Sequence, residues 1–175
     1  YRLEKLSGTQ MWHVPADREA QQQIDEVWRK LAGRERGAAA NLSFRGRTIH
    51  VPFAGNGAAR FDFADLCRQP LGAADFVQIA QNFHTVVIED IPVMSPAQRN
   101  EAKRFILLID ALYDNAVKLV ASAAVEREDI YDGEGTIEAA EFRRTISRLL
   151  EMGSTEYLSL PHGAGGRKKI ESDVT

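Results

Sequence analysis

Two acids, Glu89 and Asp90, close the short apolar run Thr85-Val86-Val87-Ile88, and a second run, Lys118-Leu119-Val120-Ala121, ends at Ser122. Carboxylates at a strand end sit at a rigid position near where phosphates dock, the placement that nucleotide hydrolases use to hold Mg²⁺ and orient water. The same acids also serve as solvated turn residues, so they nominate an edge and not a mechanism. Glu89, Asp90 and Ser122 are therefore candidates for a nucleotide-facing edge. The cradle such an edge requires is missing from the sequence. No segment matches the glycine-rich loop ending in Lys and then Ser or Thr, whose backbone N–H groups wrap phosphates. Neither Gly55-Asn56-Gly57 nor Gly163-Ala164-Gly165-Gly166 supplies it, so this chain alone is not expected to hydrolyse ATP.

Other chemistry is weaker. Residues 130–142, IYDGEGTIEAAEF, fall near the register of a calcium-binding loop. The first ligand position holds Ile130, which has no side-chain oxygen, and no entering helix precedes it. Arg144 and Arg148 are candidates for reaching a phosphate or an acidic partner, against the alternative of a solvated helix face paired with Glu141 and Glu151. Arg99, Lys103 and Arg104 crowd the helix end that repels cations. The four histidines show no metal spacing, and no metal site is expected. Cys67 reads as a small buried apolar residue.

The elements that must position these residues follow from pattern. Ser95 as cap, Pro96 at the first helical position and Gln98 completing a capping box start a helix bearing Phe105, Ile106, Leu108, Ile109 and Leu112 on one face. Strand, helix and strand over 85–122 predict a parallel βαβ core, with ligands beyond the strands' carboxyl ends. Upstream, residues 1–6 and 11–14 read as strands. A helix follows, capped by Asp17, striped with Ile24, Val27, Trp28 and Leu31, and stopped at Gly33. Residues 34–40 read as a polar connection. Runs 42–45 and 48–51 flank Gly46 as a hairpin. Residues 59–63 alternate, with Phe61 and Phe63 inward and Arg60 and Asp62 outward. A helical turn at 65–67 and a helix over 73–83 lead to the core. The last helix spans 138–152, with Phe142, Ile146, Leu149 and Leu150 apolar and Arg144, Arg148 and Glu151 on another face. The fold class is α/β, the core joined by a small antiparallel hairpin region and flanking helices. Residues 1–160 form the domain, and 161–175 read as a disordered tail.

A length of 175 residues, 44% hydrophobic, 27% charged, with net charge −3, fits one globular domain and gives no reason to expect nucleic acid as partner. A single cysteine excludes an internal disulfide and fits a reducing, cytoplasmic setting. No apolar run predicts a transmembrane segment. Starting at Tyr1, the sequence reads as a fragment of a longer protein.

Several phrases occur together and in order: Arg60-Phe61-Asp62-Phe63-Ala64-Asp65-Leu66-Cys67, Pro70-Leu71-Gly72-Ala73-Ala74-Asp75-Phe76, residues 83–92 (FHTVVIEDIP), residues 104–114 (RFILLIDALYD) and residues 147–152 (SRLLEM). Up to about Leu160 the chain resembles the C-terminal part of the ZapE family of AAA+-like ATPases, bacterial cell-division proteins related to a mitochondrial inner-membrane quality-control ATPase. The resemblance implies that the phosphate loop, the principal Mg²⁺-binding acids and the first sensor lie upstream of Tyr1. It implies ATP and Mg²⁺ for the parent protein and none for this segment alone. Implied partners are the N-terminal ATPase half of the same chain and FtsZ, with room for an oligomer. The implied role is a regulatory, assembly or partner-binding one, in which Arg148 first and Arg144 second would be supplied to a nucleotide site elsewhere. The alternative is a stand-alone protein-binding module without ATP chemistry.

Overall fold

A computed structural model describes Leu6, residues 8–33 and residues 37–164. Among these residues one sheet of six strands runs through the molecule, in the order β1-β6-β5-β4-β3-β2. Its strands are β1 (Trp12–His13), β2 (Ala38–Phe44), β3 (Arg47–Gly55), β4 (Ala58–Asp62), β5 (Thr85–Ile91) and β6 (Lys118–Ala123). β1, β6, β5 and β4 are parallel neighbours, while β4, β3 and β2 are antiparallel. The expected parallel core over 85–122 is present, as is the antiparallel hairpin region. β4 joins the two regimes, antiparallel to β3 on one side and parallel to β5 on the other.

Helices cover both faces, which is why β5 and β6 read as nearly continuous apolar runs. One face carries α1 (Arg18–Ala32), whose Ile24, Val27, Trp28 and Leu31 pack on Ala58, Val87 and Val120. The other carries α2 (Phe63–Cys67), α3 (Ala73–Asn82) and α4 (Arg99–Asp114). There Phe61, Phe76, Ile79, Phe105 and Ile109 share a core with Val86, Ile88 and Leu119. α5 (Ile137–Met152) lies outside α4, with Phe142 stacked on Phe105 at a 6.2 Å centroid distance. A short α6 (Thr155–Leu158) follows.

Local signals act as the chemistry predicts. The Asp17 carboxylate accepts from Ala20 N–H at 3.0 Å, and Gly33 ends α1 at φ 70°. Ser95 N–H donates to Gln98 Oε1 at 2.9 Å, although the first turn, Pro96–Gln98, is a 3₁₀ helix leading into α4.

Several expectations need correction. Phe63 starts a helix instead of ending a strand, because the Asp65 carboxylate takes Asp62 N–H at 2.8 Å and caps a turn there. Leu150 is 46% exposed; α5 turns Phe142, Thr145, Leu149 and Met152 inward, and Leu150 falls beside that stripe. Residues 38–40 of the expected connection belong to β2, while 34–36 lie outside the described residues. Of the expected first strand only Leu6 is described, and it is helical. The expected disordered tail begins too early. His162 Nε2 lies 2.7 Å from Ala80 O, and Gly163 N–H donates to Asn115 O at 2.7 Å. Residues 165–175 lie outside the described residues.

Candidate functional site

The parallel strands bring Asp62, Glu89 and Ser122 to one edge, with Asp62 opposite Glu89 and His13 opposite Ser122 in register. β5 spends three steps, Ile88 to Ile91, where β6 spends two, Ala121 to Ala123. This bulge leaves Glu89 and Asp90 without partners in the β5–β6 pairing and re-aims them there, while Glu89 stays paired with Asp62 of β4. Asp90 occupies the left-handed region at φ 61°, tolerated by Asp better than by most residues, and its N–H donates to Ser122 Oγ at 2.9 Å. The three residues nominated from sequence therefore stand together.

Between this edge and α1 lies an open cleft of about 820 Å³. α1 contributes Arg18, Gln21, Asp25 and Arg29, Trp28 lies beneath, and Phe53 of β3 closes one side. At its centre is a residue that sequence reading passed over. Arg60 donates from Nε to Glu89 Oε1 at 2.5 Å and from Nη2 to Asp25 Oδ1 at 2.6 Å. Alternation had turned Arg60 away from the Phe61 core, and that is correct. The opposite side, however, is roofed by α1, so the Arg60 side chain is only 12% exposed and Glu89 only 13%. Burial works against the Arg60 charge, but the bonds to Glu89 and Asp25 prevail and hold it above its ordinary value. Partial burial, then the charges of Asp65, Glu89 and Asp90, push the Asp62 carboxyl upward against the pull of Arg60.

Chemically the cleft is an acid-rich edge organised around one locked guanidinium. It is no amide cradle. Asp17 already occupies the N-terminal turn of α1, and the Asp90 N–H is taken by Ser122. A triphosphate placed here would face Asp62, Glu89 and Asp90 with side-chain cations from Arg18 and Arg29 but no backbone-amide cradle to wrap it.

Arg144 and Arg148 lie elsewhere, on α5. Asp110 of α4 accepts from Arg148 Nη1 and, at 3.3 Å, from Arg144 Nη2, and the Arg148 guanidinium lies 4.9 Å from the Tyr113 ring centroid. Neither lines the cleft. Arg99 pairs with Glu138 at 2.6 Å, and Arg104 donates to Cys67 O at 3.1 Å. Cys67 is fully buried, and burial pushes its thiol pKa up, away from reactivity. In the calcium-like stretch Ile130 is buried, and Thr136 bonds Gly133 O and caps α5 through Ala139 N–H. Among the described residues no group of three or more His, Cys, Asp or Glu is arranged to hold a metal, and no helix is long and apolar enough to cross a membrane.

The model of a protein family, the AFG1-like ATPases, matches residues 1–161. The chain belongs to the AFG1-like ATPase family. Cell division protein ZapE of Escherichia coli is 38% identical over 165 residues, covering 94% of this chain and 44% of that relative. Lactation elevated protein 1 homolog B of Danio rerio is 27% identical over 186 residues, covering 88% of this chain and 37% of its own length. The chain thus spans less than half the length of these curated relatives. No solved structure matches it.

Proposed function

We propose that this chain is the C-terminal regulatory, assembly or partner-binding portion of a larger ATPase, whose ATP and Mg²⁺ are gripped by the other half of the parent protein. One observation carries the reading: a relative described as a cell division protein aligns with 94% of this chain but only 44% of itself. The sequence meanwhile contains no phosphate loop. The cleft supports the same view, since it has the strand-edge placement of a nucleotide site without its amide donors. A cell-division role, with the N-terminal ATPase half and FtsZ as partners, follows from the family resemblance.

Within that reading Arg148 reaches a nucleotide site outside this chain, with Arg144 as second choice. Asp110 and Tyr113 preset its guanidinium, which lowers the ordering cost of presenting it. In the parent protein, Arg148→Ala lowers ATP turnover roughly 10-fold or more while the folded structure persists. Turnover equal to that of the unmodified parent removes Arg148 from the proposal.

A further inference from the structure

Two strands end the sheet, and they are treated differently. β1 has only two residues, whereas β2 has seven, Ala38–Phe44, with neither a charge nor a proline among them. Long edges are normally blunted by such residues because their open backbone invites another strand.

The hairpin geometry identifies the open groups. Arg45 at φ 49° and Gly46 at φ 76° form a two-residue turn with both central residues left-handed. In such a hairpin the flanking pair Phe44–Arg47 exchanges backbone bonds, as do Leu42–Ile49 and Ala40–Val51. The N–H and C=O of Asn41 and Ser43 then point away from β3, and no backbone bond from a described residue outside the strands reaches them. The arm is braced, not loose. Arg47 grips the buried Asp75 through two bonds of 2.8 Å each. Ala40, Leu42 and Phe44 are packed against the core yet remain partly exposed, so a neighbouring strand would finish their burial.

We propose that β2 pairs with β2 of a second copy of this chain, antiparallel about a twofold axis at Asn41, joining the two sheets into one. The sequence is self-complementary in that register. Asn41 meets Asn41, Ser43 meets Ala39, and Leu42 lies over the small Ala40. Arg45 falls opposite Gly37, so no charge meets its own kind across the junction. The proposal stands independently of the ATPase reading.

Sedimentation velocity on this chain tests it. The unmodified chain sediments as a dimer. Asn41→Lys and Asn41→Glu each halve the mass, because either places like charges across the axis, and mixing the two variants restores the dimer. Asn41 is exposed, so neither change disturbs folding, which circular dichroism verifies. Asn41→Cys cross-links under oxidation, since directly paired residues lie within disulfide reach and the native Cys67 is buried. A monomeric unmodified chain overturns the proposal, and so does a dimer indifferent to Asn41→Lys. A monomer whose β2 amides become protected only by another polypeptide also overturns it, assigning the edge to that partner.

Discussion

Replacing Arg60 with Met separates the organising charge of the cleft from its bulk. The methionine keeps much of the aliphatic volume under α1 but leaves Glu89, 13% exposed, without its 2.5 Å partner. Removing one partner of a buried ion pair costs about 3–5 kcal/mol. Here Asp25 is 46% exposed and regains water, so its share is small. The cost therefore falls to roughly 2–4 kcal/mol, or a fall in Tm of roughly 4–16 °C for a domain of this size. Urea unfolding at neutral pH, compared across Arg60→Met, Glu89→Leu and the double variant, measures it. The double variant should be more stable than Arg60→Met alone, since it leaves no orphaned charge. A deficit below the surface-pair level of about 1 kcal/mol, or a double variant showing simple additivity, would refute the idea that Arg60 locks this edge.

Two further predictions concern charge and the C-terminal segment. Lys118 is buried, its ammonium donating to the carbonyls of Ala116, Tyr157 and Leu160 at 3.1, 3.0 and 2.7 Å. Lys118→Met should cost about 1–3 kcal/mol and speed amide exchange at 157–163; unchanged exchange there would deny that Lys118 holds the segment. Asp62 has a raised folded-state pKa, so its contribution is fully present below its unfolded value and is lost as pH rises through the folded one. Asp62→Asn should therefore raise Tm at neutral pH, with the gain vanishing below about pH 3.9; a pH-independent difference would contradict the clustering of acids around it.

Much of this architecture was legible because local chemistry and global fold agree. Asp17, Gly33, Gly46 and the Ser95–Gln98 box each act as their residue types predict, and Glu89, Asp90 and Ser122 do meet at one edge. The failures occur where a side chain's role depends on a distant element. Alternation showed which way Arg60 turns, but not that α1 would roof it or that Asp25 would reach down from 35 positions away. Lys118 opens an apolar run with nothing local to announce its burial, because its partners at Tyr157 and Leu160 come from a segment with no periodic signal. The apolar residues Ile146, Leu149 and Leu150 fit two overlapping helical faces, and only packing on α4 selects between them. Residues 161–164 look like tail by composition yet are tied by main-chain bonds, which composition does not encode.

The central proposal is that this chain sets carboxylates at a strand edge but lacks the backbone-amide cradle that grips a triphosphate. Calorimetric titration of Mg²⁺·ATP into the chain alone and into the parent protein tests it most directly. The account predicts saturable binding by the parent and none tighter than millimolar by this chain. Micromolar, one-to-one binding by this chain alone, abolished by Glu89→Gln or Asp90→Asn, would contradict it.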